Sequence, residues 1–292
     1  MSKQKQSISL ILGSGGARGL AHIGVIRYLQ EHNYRIDSIS GCSIGAMIGG
    51  IYATGKLDIF ERWVRELNRI DILTLLDLSW SSSGLVKGDK IIATLVDLIG
   101  DVAIEELPIK FTAIAADVKS EKEVWLTQGS LFEAIRASIS LPMFFTPYCI
   151  DGIELIDGGT LNPVPIAPTF QDATDISIAI NLGAKSERSI DNLDKSPQHL
   201  NMSINPNISR FLEFLKESVT PSRNNNWNVY EVANQAFDAM QNSIARQKLA
   251  AYPPDILIDI PRDACGTLEF DKAEEMIALG YSKAKAQLEK SL

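Results

Sequence analysis

Ser40-Gly41-Cys42-Ser43-Ile44-Gly45-Ala46 is the stretch on which the reading of this chain turns. Before it stands an apolar-polar alternation, Ile36-Asp37-Ser38-Ile39, and after it a run of small and apolar residues, Ala46-Met47-Ile48-Gly49-Gly50. The alternation predicts a strand and the run that follows predicts a helix. A Gly-x-Ser-x-Gly segment at such a junction reads as a nucleophile elbow. The turn holds its serine in a strained backbone conformation, and only glycine at the flanking positions avoids collision. On this reading Gly41 and Gly45 make the turn and Ser43 carries the reactive hydroxyl. A plain structural turn is the other reading of the same pattern. Cys42 sits at the x position, where a small apolar filler suffices.

Upstream, Ser7-Ile8-Ser9-Leu10-Ile11-Leu12 reads as a buried strand running into Gly13-Ser14-Gly15-Gly16-Ala17-Arg18-Gly19. Leu20, Ile23, Ile26 and Leu29 then recur at helical spacing. Two β-α units in succession imply a parallel sheet covered by helices. The glycine loop is not a dinucleotide fingerprint, because G-x-G-x-x-G fails in both frames and the second strand ends at Ser40-Gly41 with no acidic group for a ribose. It is not a phosphate-binding Walker loop either, since no Gly-Lys-Ser/Thr follows. Four glycines in seven residues before a helix do suit an oxyanion hole, in which backbone N–H groups converge on a developing negative charge.

Downstream, Leu57 to Leu78 has a helical, amphipathic pattern that becomes more apolar from Ile70 to Trp80, as a core helix or as a flap over an acyl site. Asp89 to Gly100 predicts another helix. Ile109 to Ala116 predicts a strand paired with Val124-Trp125-Leu126-Thr127, and Leu131 to Ile139 a helix stopped near Pro142. Asp151-Gly152, between Tyr148-Cys149-Ile150 and Ile153-Glu154-Leu155-Ile156, is a two-residue hairpin signal. That hairpin delivers the chain into Asp157-Gly158-Gly159. Ile176 to Asn181 and Ile256 to Ile260 predict two more strands, and Val229 to Ala250 and Ala273 to Leu288 two helices.

A serine nucleophile needs a base. Histidine is scarce: His22 and His32 precede the elbow, and His199 lies in an Asn/Ser-rich segment, a poor platform for a residue that must be held rigidly. A Ser43-Asp-His199 triad stays open as an alternative. Among carboxylates, Asp157 ends a hairpin strand, and two glycines after it permit close approach to another element. Asp117 is followed by a charged turn and reads as solvated or structural, and Asp37 as capping or exposed.

Four segments in this order, Gly13 to Gly19, Gly41 to Gly45, Ala137-Ser138-Ile139-Ser140-Leu141-Pro142 and Asp157-Gly158-Gly159, resemble the patatin-like phospholipase family, and within it the bacterial members related to the neuropathy target esterase group. The resemblance implies a three-layer α/β/α fold with a mostly parallel central sheet. It also implies a Ser-Asp dyad that uses neither histidine nor metal nor cofactor to hydrolyse fatty-acyl esters of lipids. Carried onto this sequence, Ser43 is the nucleophile and Asp157 the base, and Gly15 and Gly16, with Ala17 nearby, form the oxyanion loop. Arg18 fixes that loop's geometry. Ser14 departs from the glycine of many relatives. A non-catalytic or regulatory lipid-binding protein of the same fold is the other functional reading.

Composition sets the outer limits. The chain has 292 residues, 45% of them hydrophobic and 22% charged, with a net charge of −8. That balance argues against nucleic acid and against purely electrostatic adhesion to anionic lipid. The expected partner is a lipid or lysophospholipid, with transient contact at a membrane surface. Three widely separated cysteines suggest neither a disulfide framework nor a zinc site. No apolar stretch approaches the ~20 residues needed to cross a bilayer, and a cytoplasmic setting, peripheral to the membrane, is expected. The expected organisation is a catalytic core over residues 8–185, a polar surface insertion over 186–228, and a helix-strand-helix segment over 229–292 that returns to the same domain.

Overall fold

A computed structural model describes residues 5–76, 86–185 and 229–290. Strand β1 (Gln6–Leu12) leads through the glycine loop to helix α1 (Ala21–Glu31), and β2 (Tyr34–Cys42) leads through the elbow to α2 (Ile44–Ala53). Helices α3 (Leu57–Glu66), α4 (Arg69–Leu75) and α5 (Asp89–Ile99) precede β3 (Lys110–Asp117) and β4 (Lys122–Leu126). Helix α6 (Leu131–Ser138), the hairpin β5 (Tyr148–Ile150) and β6 (Ile153–Asp157), and β7 (Ile176–Ala184) follow. Helix α7 (Val229–Ala251), β8 (Ile256–Pro261) and α8 (Ala273–Leu288) complete the order.

The eight strands form one sheet in the order β5-β6-β3-β2-β1-β7-β8, with β4 also paired to β3. Strands β3, β2, β1, β7 and β8 run parallel; β4, β5 and β6 add the antiparallel pairs. Period-two alternation sorts the core onto two faces. Ile8, Leu10 and Leu12 of β1 and Ile178 and Ile180 of β7 pack with α1, α2 and α8, whereas Ile11 and Ala179 face Ala245 and Leu249 of α7. Helices therefore cover both sides of a mostly parallel sheet. Its strands read as apolar runs because both faces are buried. Ser7 and Ser9 are satisfied from the strand's far end, where the Asp175 carboxylate accepts from the Ser7 N–H and hydroxyl at 2.7 and 2.8 Å, and Asp172 accepts from the Ser9 hydroxyl at 2.8 Å.

The chain moves outward from β1 through β2 to β3, then crosses to the other side of β1 for β7 and β8. Such a reversal opens a crevice at the carboxyl ends of the strands, where ligands of open α/β sheets bind. The loops after β1 and β2 both emerge at that edge.

Two elements depart from expectation. The helix expected from Leu57 to Leu78 is broken: Leu67 is extended, and the Asn68 side-chain Oδ1 accepts from the Ile70 and Asp71 N–H groups at 2.8 and 3.2 Å while the Asp71 carboxylate accepts from the Asn68 N–H at 3.0 Å. This capping box starts a new helix. Strand β2 begins at Tyr34, two residues ahead of the alternation, and Asp37 within it is half-buried and ion-paired with Arg35 at 2.7 Å rather than capping. The hairpin turn is as expected, with Asp151 and Gly152 both left-handed at φ 51° and 79°. Strand β8 pairs with β7, Ile256 opposite Ile178, so the last part of the chain joins the same sheet. Trp80 and the loop at 81–84, the segment at 186–228 and His199 within it lie outside the described residues.

Candidate active site

Ser43 sits between β2 and α2 with φ 55° and ψ −123°, a conformation that costs a non-glycine residue on the order of 1–3 kcal/mol. Its surroundings enforce it. A Cβ on Gly45 would stand 2.2 Å from the Leu12 carbonyl oxygen, and one on Gly41 2.5 Å from the Gly45 carbonyl oxygen. The turn is thus closed by backbone packed on backbone. The Ser43 N–H donates to the Ser138 hydroxyl oxygen at 2.9 Å, and that hydroxyl donates to the Ile114 carbonyl at 2.6 Å. Helix α6 therefore fixes the elbow from outside it.

Cys42 lies opposite Ile114 and Asp157 opposite Ala115, so the ends of β2 and β6 meet beside successive residues of β3. This register brings Ser43 and Asp157 together. The Ser43 hydroxyl donates to Asp157 Oδ2 at 2.5 Å. Asp157 Oδ1 accepts from the Gly159 N–H at 2.7 Å and faces the Cys42 thiol at 3.9 Å. Asp157 is wholly buried. Burial pushes its carboxyl up to about 6, against the opposing pull of the hydrogen bonds from Ser43, Gly159 and Cys42. Burial, reinforced by the Asp157 charge, likewise holds the Cys42 thiol well above its ordinary range, so it stays protonated.

The glycine loop borders the same spot. Gly13 and Ser14 donate their N–H groups to the carbonyls of Ile180 and Pro163 at 3.1 and 2.8 Å, and Ala17 donates to Thr267 at 2.8 Å. The Gly15 and Gly16 N–H groups have no partner among the described residues, and both residues line the cavity that holds Ser43. Ala17 thus anchors the loop, and Gly15 and Gly16 are the pair with N–H groups to offer. Arg18 ties the loop down, its guanidinium donating to the Gly15 and Arg262 carbonyls at 2.9 Å each. Gly19 packs directly against Ile44, and Gly158 against the Ile114 carbonyl. Beyond Ser43 opens an apolar cavity of about 130 Å³, walled by Met47, Phe60, Val64, Ile72, Leu95 and Phe144.

Neither His22 nor His32 is hydrogen-bonded to Ser43 or Asp157. His22 is fully buried, and burial lowers it to about 4, so the ring is neutral and Nε2–H donates to the Gly13 carbonyl at 2.9 Å. His32 stacks on Tyr28 with ring centroids 3.9 Å apart. Asp117 accepts from the Lys119 and Ser120 N–H groups and serves its own turn. Among the described residues no group of three or more His, Cys, Asp or Glu side chains is placed to hold a metal ion.

The family model of patatin-like phospholipases matches residues 10–170, a span that contains the glycine loop, the elbow and Asp157. The chain belongs to the patatin-like phospholipase family. An uncharacterized NTE family protein of Mycobacterium tuberculosis is 36% identical, covering 97% of this chain and 91% of its own length. A lysophospholipase of Emericella nidulans is 30% identical over 98% of this chain, which spans only 18% of that protein. Among solved structures, VipD from Legionella pneumophila aligns with a TM-score of 0.49 at 14% identity, over 98% of this chain and 67% of that one.

Several residues around this patatin-like site escape a reading of the sequence alone. Ser138 lies within a quoted segment, yet only the fold shows its hydroxyl on the Ser43 N–H. Arg136, 2% exposed, donates to the Ser140 hydroxyl at 2.7 Å and to the Lys87 carbonyl, bracing α6 against the segment before α5. Gln241 of α7 enters the cavity from far downstream, with no local motif to mark it.

Proposed function

We propose that the chain hydrolyses fatty-acyl esters of lipids through a Ser43-Asp157 dyad, as a lysophospholipase or phospholipase A. The observation that carries this reading is the 2.5 Å hydrogen bond from the Ser43 hydroxyl to a buried carboxylate at the mouth of an apolar cavity. Asp157 takes the proton as Ser43 Oγ attacks the ester carbonyl, and the N–H groups of Gly15 and Gly16 hold the oxyanion, each such donor being worth roughly 10²–10³ in rate. The alcohol leaves with the proton from Asp157, and water then releases the fatty acid from Ser43. The cavity suits the acyl chain, because each methylene buried contributes about 0.8 kcal/mol. Ile70 on α4, 64% exposed beside the helix residues that wall the cavity, supports contact with a lipid surface. No helix among the described residues is long and apolar enough to cross a membrane.

Purified protein should hydrolyse p-nitrophenyl butyrate and release fatty acid from lysophosphatidylcholine, and Ser43→Ala and Asp157→Asn should each lose at least about 10³-fold. Retained activity in either variant removes the dyad. A fluorophosphonate probe should label the wild type at Ser43; no labelling, with lipid still bound, would favour a non-catalytic lipid-binding protein instead.

A further inference from the structure

Helix α7 packs against the turn that follows Asp157. Its Gln241 amide nitrogen lies so close to Gly159 that a Cβ there would stand 2.4 Å from it, 2.8 Å from the Ser14 hydroxyl oxygen and 3.0 Å from Asp157 Oδ1. One point is thus ringed by an amide, a hydroxyl and the carboxylate. The Gln241 amide nitrogen is therefore no more than about 5.4 Å from the Ser14 hydroxyl or from Asp157 Oδ1, within the about 5.6 Å that two hydrogen bonds laid end to end through one water molecule reach. The Gln241 Nε2 atom is buried without a hydrogen-bond partner among the described residues, and so are Thr160 Oγ1 and Asn162 Oδ1 nearby in sequence. Buried polar atoms without a protein partner are ordinarily satisfied by ordered water. Ser14 and Gln241 also line the cavity that contains Ser43, so water held here has access to an acyl group on that serine.

We propose that Gln241 is a positioning residue for deacylation: its amide, with the Ser14 hydroxyl, holds the hydrolytic water against Asp157. This rests on the serine-hydrolase reading above. In the step it serves, a water O–H bond breaks and its proton passes to the Asp157 carboxylate, while the water oxygen bonds to the acyl carbon. The tetrahedral intermediate then collapses, the bond from the acyl carbon to Ser43 Oγ breaks, and the serine oxygen recovers the proton from Asp157. The product is the free fatty acid, and the dyad returns to its starting state. Acylation needs no water, so Gln241 acts on the second half-reaction alone. The serine at position 14 also gains a role that a glycine there could not fill.

The test separates the two halves. Wild type, Gln241→Leu and Gln241→Glu are compared on p-nitrophenyl decanoate, above the pH at which activity levels off. Acyl-enzyme lifetime is read by acid quench and intact mass, and fluorophosphonate labelling reports the reactivity of Ser43. Loss of the amide donors should lengthen the acyl-enzyme lifetime at least about tenfold, lowering kcat and KM together and leaving kcat/KM and the labelling rate within about twofold of wild type. Gln241→Glu keeps the side chain's size and supplies the measurement should Gln241→Leu fail to fold. Its added carboxylate should also move the pH-rate profile upward by disfavouring the charged form of Asp157. An unchanged lifetime in these variants overturns the inference, as does a fall in kcat/KM and labelling that matches the fall in kcat. Turnover that survives Ser43→Ala overturns the hydrolase reading itself, and is a separate outcome.

Discussion

Replacing Asp157 with asparagine should make the protein inactive and, at neutral pH, more stable. The wild-type carboxyl is fully buried and pushed up by that burial from 3.8 to about 6. In the unfolded chain it ionises near its ordinary value; in the folded protein it stays protonated until the higher one. Between these values the unfolded state binds fewer protons than the native state, so wild-type stability falls as pH rises through this window and is fully lowered above about 6. The gap corresponds to about 3 kcal/mol. Asparagine keeps an oxygen for the Gly159 N–H and can turn its amide toward the Ser43 hydroxyl, while never ionising. Thermal unfolding of wild type and Asp157→Asn across this range should therefore show no pH-dependent gain below the ordinary carboxylate pKa. Above the raised one, the variant's advantage should grow to about 5 °C. Wild-type kcat/KM should rise with pH through about 6, because the base works only when deprotonated. A difference in melting temperature that ignores pH, or a variant less stable above the raised pKa than below the ordinary one, would refute the argument from burial.

Gly45→Ala should cost at least about 1–3 kcal/mol of stability by urea unfolding, and most of the activity, because its Cβ would press on the Leu12 carbonyl at 2.2 Å, where only backbone can yield. Arg136→Leu should cost about 2–4 kcal/mol in the same measurement. It leaves the Ser140 hydroxyl and the Lys87 and Thr146 carbonyls without their buried donor and loosens the helix that carries Ser138.

What the sequence made legible here was local. The elbow, the glycine loop and Asp157-Gly158-Gly159 each follow a strand and carry their geometry in glycine, so the pattern alone places Ser43 and Asp157 at strand ends. That these ends abut depends on β3, whose neighbouring residues Ile114 and Ala115 face Cys42 and Asp157; registry of that kind leaves no mark in any one segment. Asn68 shows the opposite failing. Its capping box with Asp71 was present in the sequence, but the apolar periodicity running through it concealed the break. From sequence His22 was only a histidine ahead of the elbow, whereas its ring fastens the Gly13 carbonyl; nothing short of the fold identifies the loop as its partner. Gln241 lies in a helix whose sequence is ordinary, and its importance arises only from where β7 and β8 put that helix.

The proposed dyad dispenses with an imidazole because burial gives a carboxylate nearly the proton affinity of one. A histidine ordinarily titrates near 6.5, and Asp157 is pushed up to about 6. Desolvation alone would carry it further, to a stronger base less readily ionised. The Ser43 hydroxyl, the Gly159 N–H and the Cys42 thiol act against this, since each favours the charged form. Two opposing influences therefore set the base: a dry site that strengthens it and three donors that keep it available. The Cys42 thiol contributes only while it remains protonated, which the same burial ensures. The x position of the elbow, taken from sequence as filler, thus touches the carboxylate whose proton affinity decides the chemistry.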